Sequence, residues 1–324
     1  MSRPSELTSD TVLQLYRQMV LVRFFEEKAA ELYTQGNIFG FCHLYIGQEA
    51  VVTGISHNVL KHDSLITSYR DHAHMIVLGV SPNTVMAELC GKSTGCSKGK
   101  GGSMHMYSKE HNFYGGNGIV GAQVSIGTGL AFAHKYKQDG GVALVFFGDG
   151  AANQGQVYES FNMASLWKLP VVFVLENNKY AMGTAVKRAS SGANLQTRGD
   201  PFGIPTILSD GMDLFDMIKK SSEATNYSRS GNGPIIIHVD TYRYRGHSMS
   251  DPATYRTREE VNNVRKTRDP IMHVKNKLVD TYDVGIETLD KLEEEVRNIV
   301  EDSAKFAIES PLPDVKQLEM DVLL

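Results

Sequence analysis

The 324-residue chain is short of several features that would place it outside ordinary soluble proteins. It has three cysteines, Cys42, Cys90 and Cys96. That odd number, with no CxxC pair, favours a reducing compartment over a disulfide-held secreted fold. No apolar run approaches the roughly 20 residues needed to span a bilayer. The formal net charge of -4 gives no reason to expect nucleic acid or an anionic membrane as a partner. The N-terminal MSRPSELTSD lacks the apolar core of a signal peptide and the Arg-rich amphipathic look of a transit peptide. A cytoplasmic, bacterial-type protein is therefore expected, with a processed mitochondrial form as the alternative. Internal repeats and low-complexity tracts are also missing. What remains is ordinary: 41% hydrophobic and 22% charged residues, in a chain long enough to bury a core without disulfide or metal staples.

The apolar spacing predicts a helix from about Asp10 to Gln35. Ser9 and Asp10 are capping types, Leu13, Tyr16, Val20 and Phe24 recur at helical spacing, and Gly36 ends it. Residues 91–118 are rich in Gly, Ser and Lys, without periodicity, and too long for an idle connection. A parallel-sheet core is expected next. Residues 141–147 suit a buried strand, 153–168 a helix (Val157, Phe161, Ala164, Leu166), and 170–175 a second strand, which together make a βαβ unit. A helix around 212–228 precedes a third strand at 234–239. From Asp269 the chain reads as helical, with Pro270 in a first turn and Leu289, Leu292, Val296 and Ile299 on one face. Gly121, Ser125, Gly129 and Ala133 repeat every four residues down the helix after the glycine-rich loop, a stripe suited to close packing within the domain or against another subunit.

Three apparent motifs fail on context. Gly116-Asn-Gly118-Ile-Val-Gly121 fits the dinucleotide fingerprint, but no strand is predicted immediately upstream. Gly91-Lys92-Ser93 resembles the end of a P-loop, yet Met86 stands where the pattern requires glycine. His72, His74, Cys90, Cys96 and His105 lack characteristic zinc-ligand spacing.

The chemistry lies at Gly148-Asp149-Gly150 and Asn177-Asn178, at the ends of two predicted strands separated by one crossover helix. Each alone is common loop chemistry. Together they fall at the carboxyl edge of an open parallel sheet, where ligands bind. Asp149 can supply an anionic oxygen, Asn178 a neutral one, and a backbone carbonyl near Tyr180 a third. A hard cation takes few protein oxygens when waters and phosphates complete its shell. Gly150 and Ala151 leave backbone open to a diphosphate near a helix start.

These residues resemble the metal and cofactor motif of thiamine-diphosphate-dependent enzymes. Further blocks are similar to the alpha subunits of 2-oxoacid dehydrogenases, those of pyruvate type above all: residues 40–49 (GFCHLYIGQE), 99–105 (GKGGSMH), 113–122 (FYGGNGIVGA) and 242–252 (YRYRGHSMSDP). The resemblance runs from about residue 10 to 310. It implies an α/β thiamine diphosphate-binding fold, one domain over 1–324, with a mostly parallel central sheet and helices on both faces. A helical N-terminal arm (about 1–36) and a helical C-terminal tail (about 269–310) would flank it. Asp149, Asn178 and the Tyr180 carbonyl would hold Mg²⁺, and Gly150 and Ala151 would cradle the diphosphate. Tyr69 and Arg70 would engage the cofactor, with Gly118 and Val120 presenting backbone to its aminopyrimidine. His43 and His247 would be the catalytic groups, His247 also touching cofactor.

The implied activity is oxidative decarboxylation of a 2-oxoacid, pyruvate first, with acylation of the lipoyl group of a dihydrolipoyl acyltransferase. Acetoin and branched-chain enzymes are the rivals, with a noncatalytic assembly scaffold as the reading outside enzymes and a nicotinamide oxidoreductase resting on the glycines alone. No motif assigns the glutamate that activates the cofactor. In the family's heterotetrameric branch, two alpha with two beta chains, it comes from the beta subunit, so a chain inactive alone is implied. Ser248 stands where mitochondrial members are phosphorylated, whereas Ala185 and Thr254 occupy two other such positions, so control by that kinase is not expected. The loop from Arg245 to Arg258 is expected to be mobile until cofactor binds.

Overall fold

The computed structural model describes residues 7–191 and 194–321, so positions 1–6 of the expected N-terminal arm lie outside the described residues. Helix α1 (Ser9–Thr34) starts where the Thr8 hydroxyl accepts the Thr11 N–H at 3.2 Å. The chain leaves it through Gly36, whose φ of +79° suits glycine. Short helices α2 (Glu49–Ser56), α3 (His72–Val77) and α4 (Pro82–Leu89) follow.

The centre is a six-stranded, wholly parallel sheet of order β2-β1-β3-β4-β8-β7. Its strands are β1 (Ser64–Ser68), β2 (Phe113–Asn117), β3 (Ala143–Gly148), β4 (Val171–Asn177), β7 (Thr206–Asp210) and β8 (Ile235–Asp240). Between β4 and β7 a small hairpin pairs β5 (Tyr180–Ala181) with β6 (Thr184–Ala185). The central strands read as continuous apolar runs because both faces are covered. Leu144, Phe146, Val172 and Val174 enter one core, while Val145, Phe147, Val171 and Phe173 enter the other. Helices α5 (Ala122–Lys137) and α6 (Gly155–Leu166) cover the second face. The first is covered by α1 to α4, by α8 (Leu214–Tyr227), and by α10 (Pro270–Asp280) and α11 (Ile286–Glu309). Two further helices are α7 (Val186–Ala189) and the exposed, highly polar α9 (Arg258–Arg268).

The predicted βαβ unit is β3–α6–β4, and Pro270 opens α10 with the Asp269 side chain capping Ile271 and Met272. Leu289, Leu292 and Val296 are buried, and Ile299 packs half-buried beside them. Three sheet strands were not predicted. Strands β2 and β7 lie at the sheet edges, and β1 is a five-residue stretch without alternation.

One of these corrects the argument against the dinucleotide fingerprint. Strand β2 does run directly into Gly116–Gly121, and α5 follows, so the local order is strand, glycine turn, helix. The stretch 91–118 is likewise not loop throughout: it ends in β2 and holds two single 3₁₀ turns, Gly102–Met104 and Lys109–His111.

The stripe on α5 has two fates. Ser125 reaches α6 through Ser160 (Oγ–Oγ 3.2 Å), whereas a Cβ at Gly129 would find nothing within 4 Å. The glycine pressed on the sheet is Gly127, where a Cβ would lie 2.3 Å from Val145. Among the described residues no helix is long and apolar enough to cross a membrane.

Candidate active site

The carboxyl ends of β3 and β4 are in register, Gly148 beside Glu176, and Asn177 pairs with Asp240 of β8. Asp149 and Asn178 each follow their strand by one residue, so both reach the same edge. They line one cavity of about 300 Å³, together with Arg70, Gly150, Ala151 and Tyr180. The β5–β6 hairpin lies over it, close enough that a Cβ on Gly150 would meet Ala181 at 2.6 Å. Glycine is therefore required there for space rather than for φ.

Asn178 donates its amide Nδ2 to Gln48 Oε1 at 3.0 Å, which leaves its Oδ1 buried without a protein partner. Asp149 is 3% exposed, and burial pushes its carboxyl up to about 6. A buried carboxylate and an orphaned amide oxygen on one wall fit a hard, oxygen-liganded cation, whose charge would hold Asp149 ionised. The Tyr180 carbonyl, the third expected ligand, already accepts Arg243 Nη1 at 3.0 Å. Its second lone pair is the one left for a cation. Among the described residues no three His, Cys, Asp or Glu side chains cluster as a metal site.

Arg70 and Tyr69 follow β1 at the same edge. The Arg70 guanidinium is buried and donates to the carbonyls of Leu44 and His247 (the latter 2.8 Å), with burial lowering it to about 10. It thus braces the two histidine segments as well as facing the cavity.

A second cavity of about 480 Å³ adjoins the first through Tyr69, Val120, Met182 and His247, and adds His43 and Gly118. The rings of His43, Tyr69 and His247 form a cluster, with centroids 4.4 Å (His43–Tyr69), 5.1 Å (His43–His247) and 5.5 Å (Tyr69–His247) apart. Burial first, then the Arg70 charge, lowers His43 to about 2 and His247 to about 3. Both imidazoles are neutral at physiological pH, and the Nδ1 of each is buried without a partner. Such groups can take or give a proton to a bound molecule, or donate to developing negative charge. All the expected site residues thus come together in two adjoining cavities.

The loop from Arg245 to Arg258 departs from expectation in that protein groups already hold it. Asp251 accepts the N–H of His247 (2.6 Å) and Ala253 (2.8 Å), Met249 N–H bonds Cys42 O at 2.8 Å, and Arg256 ties back to the carbonyls of Arg243, Tyr244 and Arg245. Ser248 is buried, with its hydroxyl 3.0 Å from that of Ser250.

Three residues escaped the sequence reading. Arg243, fully buried, holds the carbonyls of Tyr180 and Met182 and the Tyr255 hydroxyl. Gln48 orients Asn178. Glu176 lines the first cavity, pushed up to about 7 by burial, and accepts the Tyr45 hydroxyl. Gln48 and Arg243 stand inside the blocks that carried the family likeness, and Glu176 is an acid ending an apolar strand. Those were the available signals.

Residues 16–316 match the family model described as "Dehydrogenase E1 component". Among similar curated proteins, the pyruvate dehydrogenase E1 component subunit alpha of Rhizobium meliloti is 57% identical over 99% of this chain and 92% of its own length. The protein of the same name from Zymomonas mobilis is 52% identical over 97% and 89%. The mitochondrial one from Dictyostelium discoideum is 51% identical over 99% and 85%. With a cavity of matching chemistry at the sheet's carboxyl edge and a family match over nearly its whole length, this chain belongs to the dehydrogenase E1 component family.

Proposed function

We infer that the chain is the alpha subunit of a pyruvate dehydrogenase, an oxidoreductase that uses thiamine diphosphate and Mg²⁺. It decarboxylates pyruvate oxidatively and acetylates the lipoyl group of dihydrolipoyl acetyltransferase, feeding acetyl-CoA synthesis. The observation that carries this reading is the unpartnered Asn178 Oδ1 on the wall it shares with Asp149, in a chain of this family. The bound cofactor supplies the electron sink that lets a 2-oxoacid lose carbon dioxide.

Each residue's part follows from its place. Asp149, Asn178 Oδ1 and the Tyr180 carbonyl hold Mg²⁺, leaving its other positions to phosphate and water. Gly150 and Ala151 give the diphosphate open backbone, and Tyr69 and Arg70 engage it from the β1 side. Gly118 and Val120 present backbone groups to the aminopyrimidine. His43 and His247 are catalytic, their neutral rings stabilising charge at the carbon that loses carbon dioxide. The relatives' names favour pyruvate over acetoin and branched-chain substrates, and a complete set of site residues speaks against a noncatalytic scaffold.

A beta chain completes the site, giving an assembly of two alpha and two beta chains. Among the described residues no glutamate lines the second cavity, and the Asp251 carboxylate there is taken by backbone N–H groups. The mouth carries exposed apolar side chains, Phe41, Ile119 and Met182, each more than 60% exposed. From there an apolar surface continues down α5 and α6 through Ile126, Phe132, Leu166 and Trp167. A surface of that kind calls for a protein partner. The whole chain is read as one domain, and its three unpaired cysteines suit a cytoplasmic setting.

Co-expression with the beta chain, followed by an assay of carbon dioxide release with thiamine diphosphate, Mg²⁺ and an artificial electron acceptor, tests this. Turnover selective for pyruvate and lost in Asp149→Ala supports it. Preference for acetoin keeps the chemistry and changes the substrate. No turnover and no bound cofactor would sink it, and full activity from the chain alone would sink the shared site.

A further inference from the structure

Three buried groups outside the cavities, Glu26, His72 and Ser103, form a chain behind His43. Glu26 on α1 and His72 on α3 are both 0% exposed, and Ser103 and His43 are both 4% exposed. Glu26 Oε2 lies 2.9 Å from His72 Nδ1, and His72 Nε2 lies 2.8 Å from Ser103 Oγ and 3.2 Å from the Ser103 carbonyl. The two ends of this chain then grip one backbone segment. Ser103 Oγ accepts the His43 N–H at 3.3 Å, and Glu26 Oε1 accepts the Tyr45 N–H at 2.9 Å. The carbonyl between them, on Leu44, accepts Arg70. Ser103 is itself fixed by Glu88, whose buried carboxylate accepts the N–H groups of Gly101 (2.8 Å) and Gly102 (3.0 Å) just before it.

The partners dictate the protonation of His72. Nδ1 faces a carboxylate and Nε2 faces a carbonyl as well as a hydroxyl, so acceptors stand on both sides, an arrangement that favours a proton on each nitrogen. Burial opposes that charge, but Glu26, the neighbouring Asp71 carboxylate and the Ser103 carbonyl together outweigh it and raise His72 above the usual imidazole value. Removing one member of such a pair strands the other in a dry site, and that cost locks the arrangement.

We propose that Glu26, His72 and Ser103 form a buried positioning relay that fixes the His43–Tyr45 backbone, and with it the His43 ring against Tyr69 and His247. The relay acts through His43, so it rests on the catalytic part given to His43 above. Catalytic groups lose rate steeply when displaced by fractions of an ångström, whereas the groups given to Mg²⁺, Asp149, Asn178 and the Tyr180 carbonyl, stand beyond β3 and β4 and outside the relay. A positioning relay therefore lowers turnover far more than cofactor affinity.

The test is steady-state kinetics and calorimetric binding of thiamine diphosphate with Mg²⁺ to the alpha–beta enzyme carrying Ser103→Ala, with Ser103→Thr as the rescue. Ser103→Ala is expected to lower kcat by about tenfold or more, with cofactor Kd and the KM for the 2-oxoacid within about twofold, and Thr is expected to restore most of the kcat. Glu26→Gln keeps an acceptor for Tyr45 but removes the charge, so it gives an independent kcat loss should Thr not fit. Ser103→Ala and Glu26→Gln both at wild-type kcat would overturn the relay, and so would a kcat loss matched by an equal rise in cofactor Kd, the mark of general loosening. If instead the unaltered enzyme decarboxylates no 2-oxoacid, the functional reading fails and not the relay.

Discussion

Asn178 is turned by Gln48. The 3.0 Å bond from its amide Nδ2 to Gln48 Oε1 decides which end of the carboxamide faces the cavity, and so puts an oxygen rather than an NH₂ on the wall with Asp149. Gln48 comes from the turn before α2, far in sequence from the β4 edge it serves.

Gln48→Leu removes that restraint without touching a metal ligand. The amide then turns freely, at a cost of about 1 kcal/mol for one lost hydrogen bond. Calorimetry should show Mg²⁺-dependent cofactor binding weakened by about fivefold, and unchanged binding would show that Asn178 is oriented by something else.

Asp149 is a site of stability given up for function. Its carboxyl is raised by burial from 3.8 to about 6. The ionised native state is therefore disfavoured, and in the absence of cation stability falls as pH climbs from about 4 through 6, by on the order of 3 kcal/mol. Asp149→Asn should raise the urea midpoint at pH 7 in chelator while abolishing Mg²⁺ binding. A variant less stable than the parent under those conditions would refute the account.

Arg23 ties three elements together. Its Nε meets Glu49 Oε1 at 2.5 Å and its terminal nitrogens meet Asp269 Oδ2 at 3.3 Å, with all three side chains buried. Arg23→Leu leaves two buried carboxylates without a counter-charge between α1, α2 and the start of α10, and about 3–5 kcal/mol of destabilisation is expected. Urea unfolding reads it out, and a loss under 1 kcal/mol would mean that water relieves the site.

The apolar surface along α5 is expected to be covered in the assembled enzyme. Phe132→Glu would bury an unpaired charge in that contact, so co-purification with the beta chain should be lost while the circular dichroism of the alpha chain stays unchanged. Retained assembly would move the partner's seat elsewhere.

Much of the site was legible because it sits where pattern is strong. Strands β3 and β4 are apolar runs bounded by Gly148-Asp-Gly150 and Asn177-Asn178, and an open parallel sheet brings such ends to one edge. Edge strands were not legible. Strand β2 reads Phe-Tyr-Gly-Gly-Asn, with two glycines and no alternation, so the turn it feeds was judged strandless. Only pairing with β1 makes it a strand. Likewise the loop after Tyr244 gave no sign that Arg256 and Asp251 would hold it, since those bonds depend on how the chain doubles back.

By itself, then, the sequence determined the parallel core, the long first and last helices, and the residue types at the sheet edge. Each of those follows from local spacing, capping and turn chemistry. Tertiary structure alone decided which oxygens lack a partner, which imidazoles are neutral, and how His43 is held. Those properties depend on burial and on groups distant in sequence: Gln48 against Asn178, Arg70 against His247, and Glu26 and Ser103 on either side of His72. Desolvation and long-range hydrogen bonds have no period that a sequence can display.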